Sequence, residues 1–157
     1  METNFDSAPG LVFAFEVRAQ VGAPLDIGDT VRGRRRIIPI TGGTLEGPGI
    51  QGRILPGGAD WQIVRPDGVV ELHARYTVDI AGRGLLYVVN AGIRCASPEI
   101  MAKLNAGETI DPSLYYFRSV PRFEIAAPEC AWMMRSVFIG TAERKPSDVR
   151  VRVWRVL

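Results

Sequence analysis

The sequence contains little of what metal sites and disulfide frameworks are built from. It has one histidine and two cysteines among 157 residues. Cys95 and Cys130 lie far apart and form no CxxC-type pair, which argues against a zinc site and a thioredoxin-like motif. Both are expected to be buried, reduced thiols. The sequence therefore predicts no metal site and no cofactor.

Long apolar runs are also absent, since none approaches the roughly 18 residues that a membrane span requires. The first six residues include two acidic residues and no basic one, whereas a secretory signal would begin with basic residues. The length fits one domain over residues 1–157. These observations predict a single-domain cytoplasmic protein with no membrane contact.

Lysine is scarce as well, and nearly all the cations are arginine, although the net charge is only +2. Arginine holds carboxylates and phosphates bidentately, but codon bias in a GC-rich genome explains the excess more simply. The run Arg32-Gly33-Arg34-Arg35-Arg36 could be a nucleic-acid patch. It leads directly into an apolar strand, which favours a solvated strand entrance and no nucleic-acid partner.

Glycine is abundant between residues 42 and 61, where seven glycines and two prolines fall within twenty positions. Glycines spaced through a strand-like pattern mark the bulges and sharp bends that curl a sheet. The pattern is no nucleotide fingerprint, because no helix follows it to receive a phosphate.

Alternation predicts several strands around this segment. Residues 11–21 place Phe13, Phe15, Val17, Ala19 and Val21 on one face. A meander is predicted from strands at 61–64, 69–79 and 85–90, joined by turns at 65–68 and 81–84. Further strands are predicted at 115–125, 131–141 and 149–156.

One helix is predicted over Pro98–Asn105. Ser97 can cap it, Pro98 suits its first position, and Gly107 ends it. The helix is short, so it is better interpreted as a lid or plug than as half of a layer. Eight or nine strands with one short helix predict a mainly β, closed or nearly closed antiparallel barrel.

Several motifs resemble one known family, in the same order over nearly the whole chain. They are Gly-Gly-Ala-Asp-Trp (57–61), Arg-Pro-Asp-Gly (65–68), Ala-Arg-Tyr (74–76), Tyr-Tyr-Phe-Arg (115–118), Pro-Arg-Phe-Glu (121–124), Ala-Trp (131–132) and Phe-Ile-Gly (138–140). Together they resemble the family called domain of unknown function 3237. The resemblance implies a small barrel of the lipocalin or allene-oxide-cyclase kind. Two positions depart from the family pattern: His73 replaces an acidic residue and Met133 replaces an asparagine.

A candidate site follows from the predicted strand 69–79, which places Glu71, His73 and Arg75 on one face. A carboxylate, an imidazole and a guanidinium in a row could supply acid–base chemistry with an anion clamp. The alternative is an ordinary solvated strand face. The family motif also includes Arg75, Tyr116 and Arg118, so we expect these three to share one cavity with His73. Met133 and Arg135 share a face of the predicted strand 131–141 and are further candidates for ligand contact.

Asp60 and Trp61 form a second candidate pair. They either close a turn and fill core, or they stand at a pocket mouth as a base and a ligand platform. The catalytic candidates are thus His73, Asp60 and Tyr116. The binding candidates are Arg75, Arg118, Trp61, Glu71, Met133 and Arg135.

Three functions stay open at this level. The first is a cofactor-free isomerase, cyclase or lyase acting on a small polar or anionic organic molecule inside the barrel. The second is a binding barrel without turnover, and the third is a structural or assembly role. Apolar residues on both sides of residues 85–89 also predict self-association, most simply as a dimer.

Overall fold

The computed structural model describes residues 5–157, and no helix in that range is long and apolar enough to cross a membrane. Ten strands and one α-helix, α1 (Pro98–Asn105), form within it, with two 3₁₀ helices at Pro112–Leu114 and Pro128–Met134. The strands are β1 (Leu11–Val21), β2 (Leu25–Thr30), β3 (Gly33–Gly47), β4 (Ile50–Ile54), β5 (Gly58–Val64), β6 (Val70–Ile80), β7 (Gly84–Cys95), β8 (Tyr116–Ile125), β9 (Phe138–Arg144) and β10 (Asp148–Val156).

The strands form one antiparallel sheet that closes on itself, because β1 pairs with both β10 and β3. The ring has eight lateral positions. Strands β4 and β5 share the position between β3 and β6, and β1 and β2 lie along the same edge of β3. The predicted antiparallel barrel with one short helix is confirmed.

Strand β3 changes both of its partners part-way along, from β2 and β5 to β1 and β4. Gly43 lies at this transition with φ of +130°. A Cβ there would lie 1.9 Å from the carbonyl oxygen of Arg18. Only glycine fits this close approach of two backbones, so the residue fixes the point where the barrel wall turns.

Inward-pointing side chains fill one part of the barrel with an aromatic cluster. Phe123 packs edge-on against Phe15 at 5.3 Å and against Phe138 at 5.2 Å between ring centroids. Strand β8 supplies Phe123 through strict alternation of exposed and buried residues. This cluster lies away from the cavity described below, whose lining includes none of the three rings.

Helix α1 has the predicted bounds and caps. The Ser97 hydroxyl accepts a hydrogen bond from the Ile100 N–H at 3.3 Å, and Pro98 occupies the first turn. Gly107, with φ of +83°, follows the last turn. Met101 and Leu104 are buried against the barrel, so the helix covers part of it.

Two sequence predictions are wrong in detail. The predicted strand 131–141 begins only at Phe138, because Pro128–Met134 forms a 3₁₀ helix that buries Cys130 and Met133, three residues apart. That spacing matches the three residues per turn of a 3₁₀ helix. Phe13 does not share the inner face of β1, since a bulge between Phe13 and Phe15 shifts the register.

Candidate functional site

A cavity of ≈ 120 Å³ lies inside the barrel. Apolar side chains from β1, β3, β6, β8 and β10 form much of its wall, and the loops carrying Pro24 and Pro146 also border it. Its polar lining comes from Arg36, Asp60, Gln62, Asn90, Arg94, Ser119 and Arg144. A polar group so deep in a barrel needs a partner, which makes this set the candidate site.

A hydrogen-bonded chain runs along the β3–β5 wall of the cavity. Arg36 Nη2 donates to Gln62 Oε1 at 2.8 Å, and Gln62 Nε2 donates to Asp60 Oδ2 at 2.8 Å. The backbone N–H of His73 donates to Asp60 Oδ1, also at 2.8 Å. Both oxygens of this carboxylate are therefore held in place, one from its own strand β5 and one from the neighbouring strand β6.

Asp60 is 9% exposed, and its surroundings act on its pKa in opposite directions. Burial raises the pKa of the carboxyl, and this effect is the largest. The hydrogen bonds from Gln62 and His73 and the charge of Arg94 lower the pKa and partly offset the burial. The result is a carboxylate that binds a proton more readily than one in water.

Arg94 is the largest side chain that is almost completely buried, at 1% exposure. Its guanidinium carbon lies 5.4 Å from the centroid of the Phe117 ring. Burial is the largest cause that lowers the pKa of Arg94 to about 10, and repulsion from Arg144 and Arg36 adds to it. Arg94 nevertheless stays charged at neutral pH.

Four polar atoms at the cavity wall are buried and have no hydrogen-bond partner among the described residues. They are Arg36 Nε, Asn90 Oδ1, Arg94 Nε and Ser119 Oγ. Buried polar atoms in folded proteins nearly always have partners, so each exception needs a reason. Their concentration around one cavity makes that cavity the place where a polar ligand would satisfy them.

Arg144 connects the cavity to helix α1. Its backbone N–H donates to the Tyr115 hydroxyl at 3.0 Å, and its Nη1 donates to the carbonyl oxygen of Leu104. Burial lowers the pKa of Arg144, and repulsion from Arg36 acts in the same direction. The third arginine of the site is thus positioned by the end of α1.

Of the residues that the sequence suggested for the site, Asp60 is the one that lines the cavity. The expectation that His73, Arg75, Tyr116 and Arg118 point into one cavity is wrong. Arg75 and Tyr116 are exposed on the outer face of the barrel.

The outward residues nevertheless contact one another. Arg75 Nε donates to His73 Nε2 at 3.2 Å, and the Arg118 guanidinium lies 5.4 Å from the Tyr116 ring centroid. Leu72, Ala74 and Tyr76 on β6, and Phe117 and Ser119 on β8, take the inward positions instead.

The remaining suggested residues lie elsewhere. Trp61, Glu71 and His73 border a shallow outer groove of ≈ 300 Å³. Met133 is 1% exposed in the core and does not reach the cavity, while Arg135 is exposed. Any functional role of these outer-face residues stays a prediction.

Three arginines that line the cavity, Arg36, Arg94 and Arg144, were not among the predicted site residues. Arg36 has the same parity on β3 as Ile38 and Ile40, which also line the cavity. Arg94 has the same parity on β7 as the buried Leu86 and Val88. Strand alternation could have identified both, but the predicted third strand of the meander stopped at residue 90, and the arginine run was interpreted as solvated.

Fold and cavity together define a small antiparallel barrel with a polar pocket inside it. The sequence profile of the family described as "Protein of unknown function (DUF3237)" matches residues 9–156. The chain belongs to this family, and the resemblance seen in its motifs is confirmed.

Two relatives support this placement, and a third protein shares only the fold. A "UPF0311 protein" of Rhodopseudomonas palustris strain TIE-1 is 44% identical over 145 residues, which is 92% of this chain and 95% of the relative. The crystal structure of the conserved protein of unknown function RPA1785 from Rhodopseudomonas palustris is 41% identical, with a TM-score of 0.94 over 96% of this chain and 99% of that one. A structure described as an enzyme from Penicillium herquei has a TM-score of 0.72 at 16% identity, covering 99% of this chain and all of that one, and shares the fold alone.

Proposed function

We propose that this protein binds a small organic anion inside its barrel. The observation that carries the proposal is the convergence of Arg36, Arg94 and Arg144 on one cavity that contains a single carboxylate, Asp60. Guanidinium groups pair with carboxylates and phosphates through charge-assisted hydrogen bonds. The positive charge of the lining thus favours an anionic ligand over a neutral or cationic one.

The volume and the apolar wall narrow the ligand further. The cavity has ≈ 120 Å³, and about 150 Å³ is enough to hold benzene in an engineered protein cavity. Valine, isoleucine and alanine side chains form much of the remaining wall. Because this cavity is smaller than the one that holds benzene, we expect a carbon skeleton of about two to four atoms with a charged group directed at the arginines.

A thermal-shift panel tests this proposal. The full chain is heated with matched neutral, cationic and anionic small molecules, such as butanamide, butylamine and butanoate. A ligand at 100 times its Kd stabilises the folded state by about 2.7 kcal/mol, which is easily measured. Stabilisation by anions alone supports the proposal. Equal shifts with the neutral compounds, or no shift with any aromatic or aliphatic acid, would overturn it.

Turnover is a second candidate, and Asp60 is the observation that favours it. A buried carboxylate with a raised pKa, facing a cavity and held on both oxygens, is a suitable proton acceptor. Asp60 would take a proton from a carbon that lies between a carbonyl group and a carbon–carbon double bond. The C–H electron pair would form a new C=C bond, the C=O π pair would move to the oxygen, and the resulting dienolate would lie beside Arg94. Return of the proton to the far carbon of the original double bond completes its shift into conjugation.

Deuterium exchange distinguishes turnover from binding. Carbonyl acids that stabilise the protein are incubated with it in D₂O, and their C–H signals are followed by NMR. Enzyme-dependent loss of a signal that disappears in Asp60→Asn, while binding persists, indicates catalysis. Binding without exchange leaves a carrier. Location in the cytoplasm stays a prediction from the sequence.

A further inference from the structure

The three cavity arginines combine burial with the absence of an acidic partner: Arg94 is buried and Arg36 and Arg144 are half-buried, whereas outer-face arginines without an ion pair, such as Arg75 and Arg122, are exposed. Outer-face arginines such as Arg18, Arg34 and Arg150 form ion pairs with aspartate or glutamate. No ion pair to Arg36, Arg94 or Arg144 occurs among residues 5–157 in the structure. Arg36 donates instead to the Gln62 amide, and Arg144 to the Leu104 carbonyl.

The cavity therefore has an excess of positive charge whatever the state of Asp60. With Asp60 ionised, three guanidiniums face one carboxylate, and the lining carries a charge of +2. With Asp60 protonated, the excess rises to +3. Repulsion from Arg144 and Arg36 is felt at Arg94, so the three charges are close enough to oppose one another.

We infer that the ligand of this cavity carries two negative charges, an inference that rests on the proposed function. A dianion balances the lining with Asp60 ionised, whereas a monoanion leaves a buried positive charge uncompensated. The unpartnered Arg94 Nε, Arg36 Nε and Ser119 Oγ supply hydrogen-bond donors for the two acidic groups. Asn90 Oδ1 is an unpartnered acceptor and fits a hydroxyl or N–H on the same ligand.

Small dicarboxylates and phosphate monoesters share this charge and size. Both place two negative charges on a skeleton that fits a cavity of ≈ 120 Å³. The shared chemistry is the dianion, and the choice between the two classes is left to the measurement.

Isosteric pairs test the inference by changing only the charge of the ligand. Isothermal titration calorimetry at pH 7.5 compares malonate with malonamate and succinate with succinamate, and malonamide serves as the neutral diamide. Methyl phosphate, a dianion at this pH, and methyl sulfate, its isosteric monoanion, form the second arm. We expect the dianion of at least one pair to bind about tenfold or more tightly than its singly charged counterpart. The tighter arm assigns the ligand class.

Variants connect this preference to the arginines. Arg94→Met and Arg144→Met each remove one charge and keep an extended side chain, and each should reduce the preference to less than about threefold. Arg122→Met, on the exposed outer face of β8, is the matched control and should retain it. Circular dichroism verifies that each variant folds. If only one of the two cavity variants folds, its comparison with Arg122→Met is sufficient.

The outcomes distinguish the inference of a doubly charged ligand from the proposed binding of an anion. Equal affinity for dianions and monoanions, both above that for the neutral diamide, overturns the dianion inference and leaves anion binding standing. Equal affinity for charged and neutral compounds, or no binding of any acid in either arm, overturns both. A dianion preference that survives in both arginine variants also overturns the inference.

Discussion

Strands β6 and β8 each have an outward and an inward row of side chains, and the two rows differ in polarity. Outside the barrel, β6 presents Glu71, His73 and Arg75, while inside it presents Leu72, Ala74 and Tyr76. The outer row looks like an active site and lies in solvent. The inner rows of the barrel are mostly apolar, with a few buried charges set among them.

Burial of apolar surface explains which row faces inward. Each fully buried large apolar side chain stabilises the fold by roughly 1.5–3 kcal/mol, and β6 contributes Val70, Tyr76, Val78 and Ile80 to the core. Turning the strand over would expose these residues and bury a charged row instead. The charges that do lie inside, on β3, β5, β7 and the end of β9, are exceptions that cost stability. For this reason they indicate function better than the more numerous outer charges.

Among the substitutions that compare the two faces, removal of the Asp60 carboxylate should change the free energy of unfolding most. We expect Asp60→Leu to lower the free energy of unfolding by about 3 kcal/mol or more, because it leaves the His73 N–H and the Gln62 amide without acceptors and three arginines without a counter-charge. Urea unfolding measures it. Asp79→Leu, on the exposed face of β6, is the control and should change stability by less than about 0.5 kcal/mol. Similar losses in both variants would erase the distinction between the faces.

Removing Arg94 from the inner face should raise the free energy of unfolding rather than lower it. Burial lowers the pKa of Arg94 to about 10, well below the ordinary value of arginine. A base whose pKa is lowered on folding favours the folded state while it is neutral, and this contribution is lost as the pH falls to about 10, so charged Arg94 weakens the fold at pH 7. We expect Arg94→Met to raise the free energy of unfolding at pH 7 by about 1–3 kcal/mol. Arg75→Met, outside, should leave it unchanged, and a destabilised Arg94→Met would show that Arg94 is compensated.

The apolar part of the outer face should affect self-association rather than folding stability. Outward positions of β7 form an unbroken apolar stripe of Leu85, Tyr87, Val89, Ala91 and Ile93. Such a stripe is typical of an interface, so we expect a dimer in sedimentation at micromolar concentration. Val89→Lys should convert it to a monomer. A wild-type monomer throughout that range would contradict the prediction.

Lowering the pH should increase the contribution of Asp60 to the stability of the fold. Burial raises the pKa of Asp60 above its ordinary 3.8, so protonated Asp60 favours folding. This contribution is complete below pH 3.8 and is lost as the pH rises through the raised pKa. Wild type should therefore gain stability relative to Asp60→Asn between pH 7 and pH 4. Parallel stability curves for the two proteins would show that the pKa of Asp60 is not raised.

The smallest effects are expected at Arg75 and Arg118. Both were candidates for a buried anion clamp, where removal would cost about 3 kcal/mol. On the outer face, Arg75→Ala and Arg118→Ala should each change the free energy of unfolding by less than about 1 kcal/mol and leave acid binding intact. Loss of binding in either variant would restore these residues to the site.

Local sequence patterns predicted most of the barrel. The composition of the site depends on how the barrel closes, which brings together strands that are distant in the sequence. Helix α1 followed from Ser97, Pro98 and Gly107, and the alternation of residues 69–79 was read with the correct parity. Parity alone cannot say which row faces inward, because that depends on strands far away in the chain. Arg94 was not predicted because the predicted strand 85–90 ended before it, and the charges that surround it in the cavity come from β3 and from the end of β9.

The pairing of β1 with β10 also has a kinetic consequence. Glu16 pairs in register with Arg152 across nearly the entire chain, and this pairing helps to close the ring. Contacts of such high sequence separation slow folding, because loop entropy is lost before the contacts form. Until the seam closes, the enclosed space and its gathered guanidiniums do not exist. An anion that binds there would thus act on the lifetime of the closed barrel rather than on its early assembly.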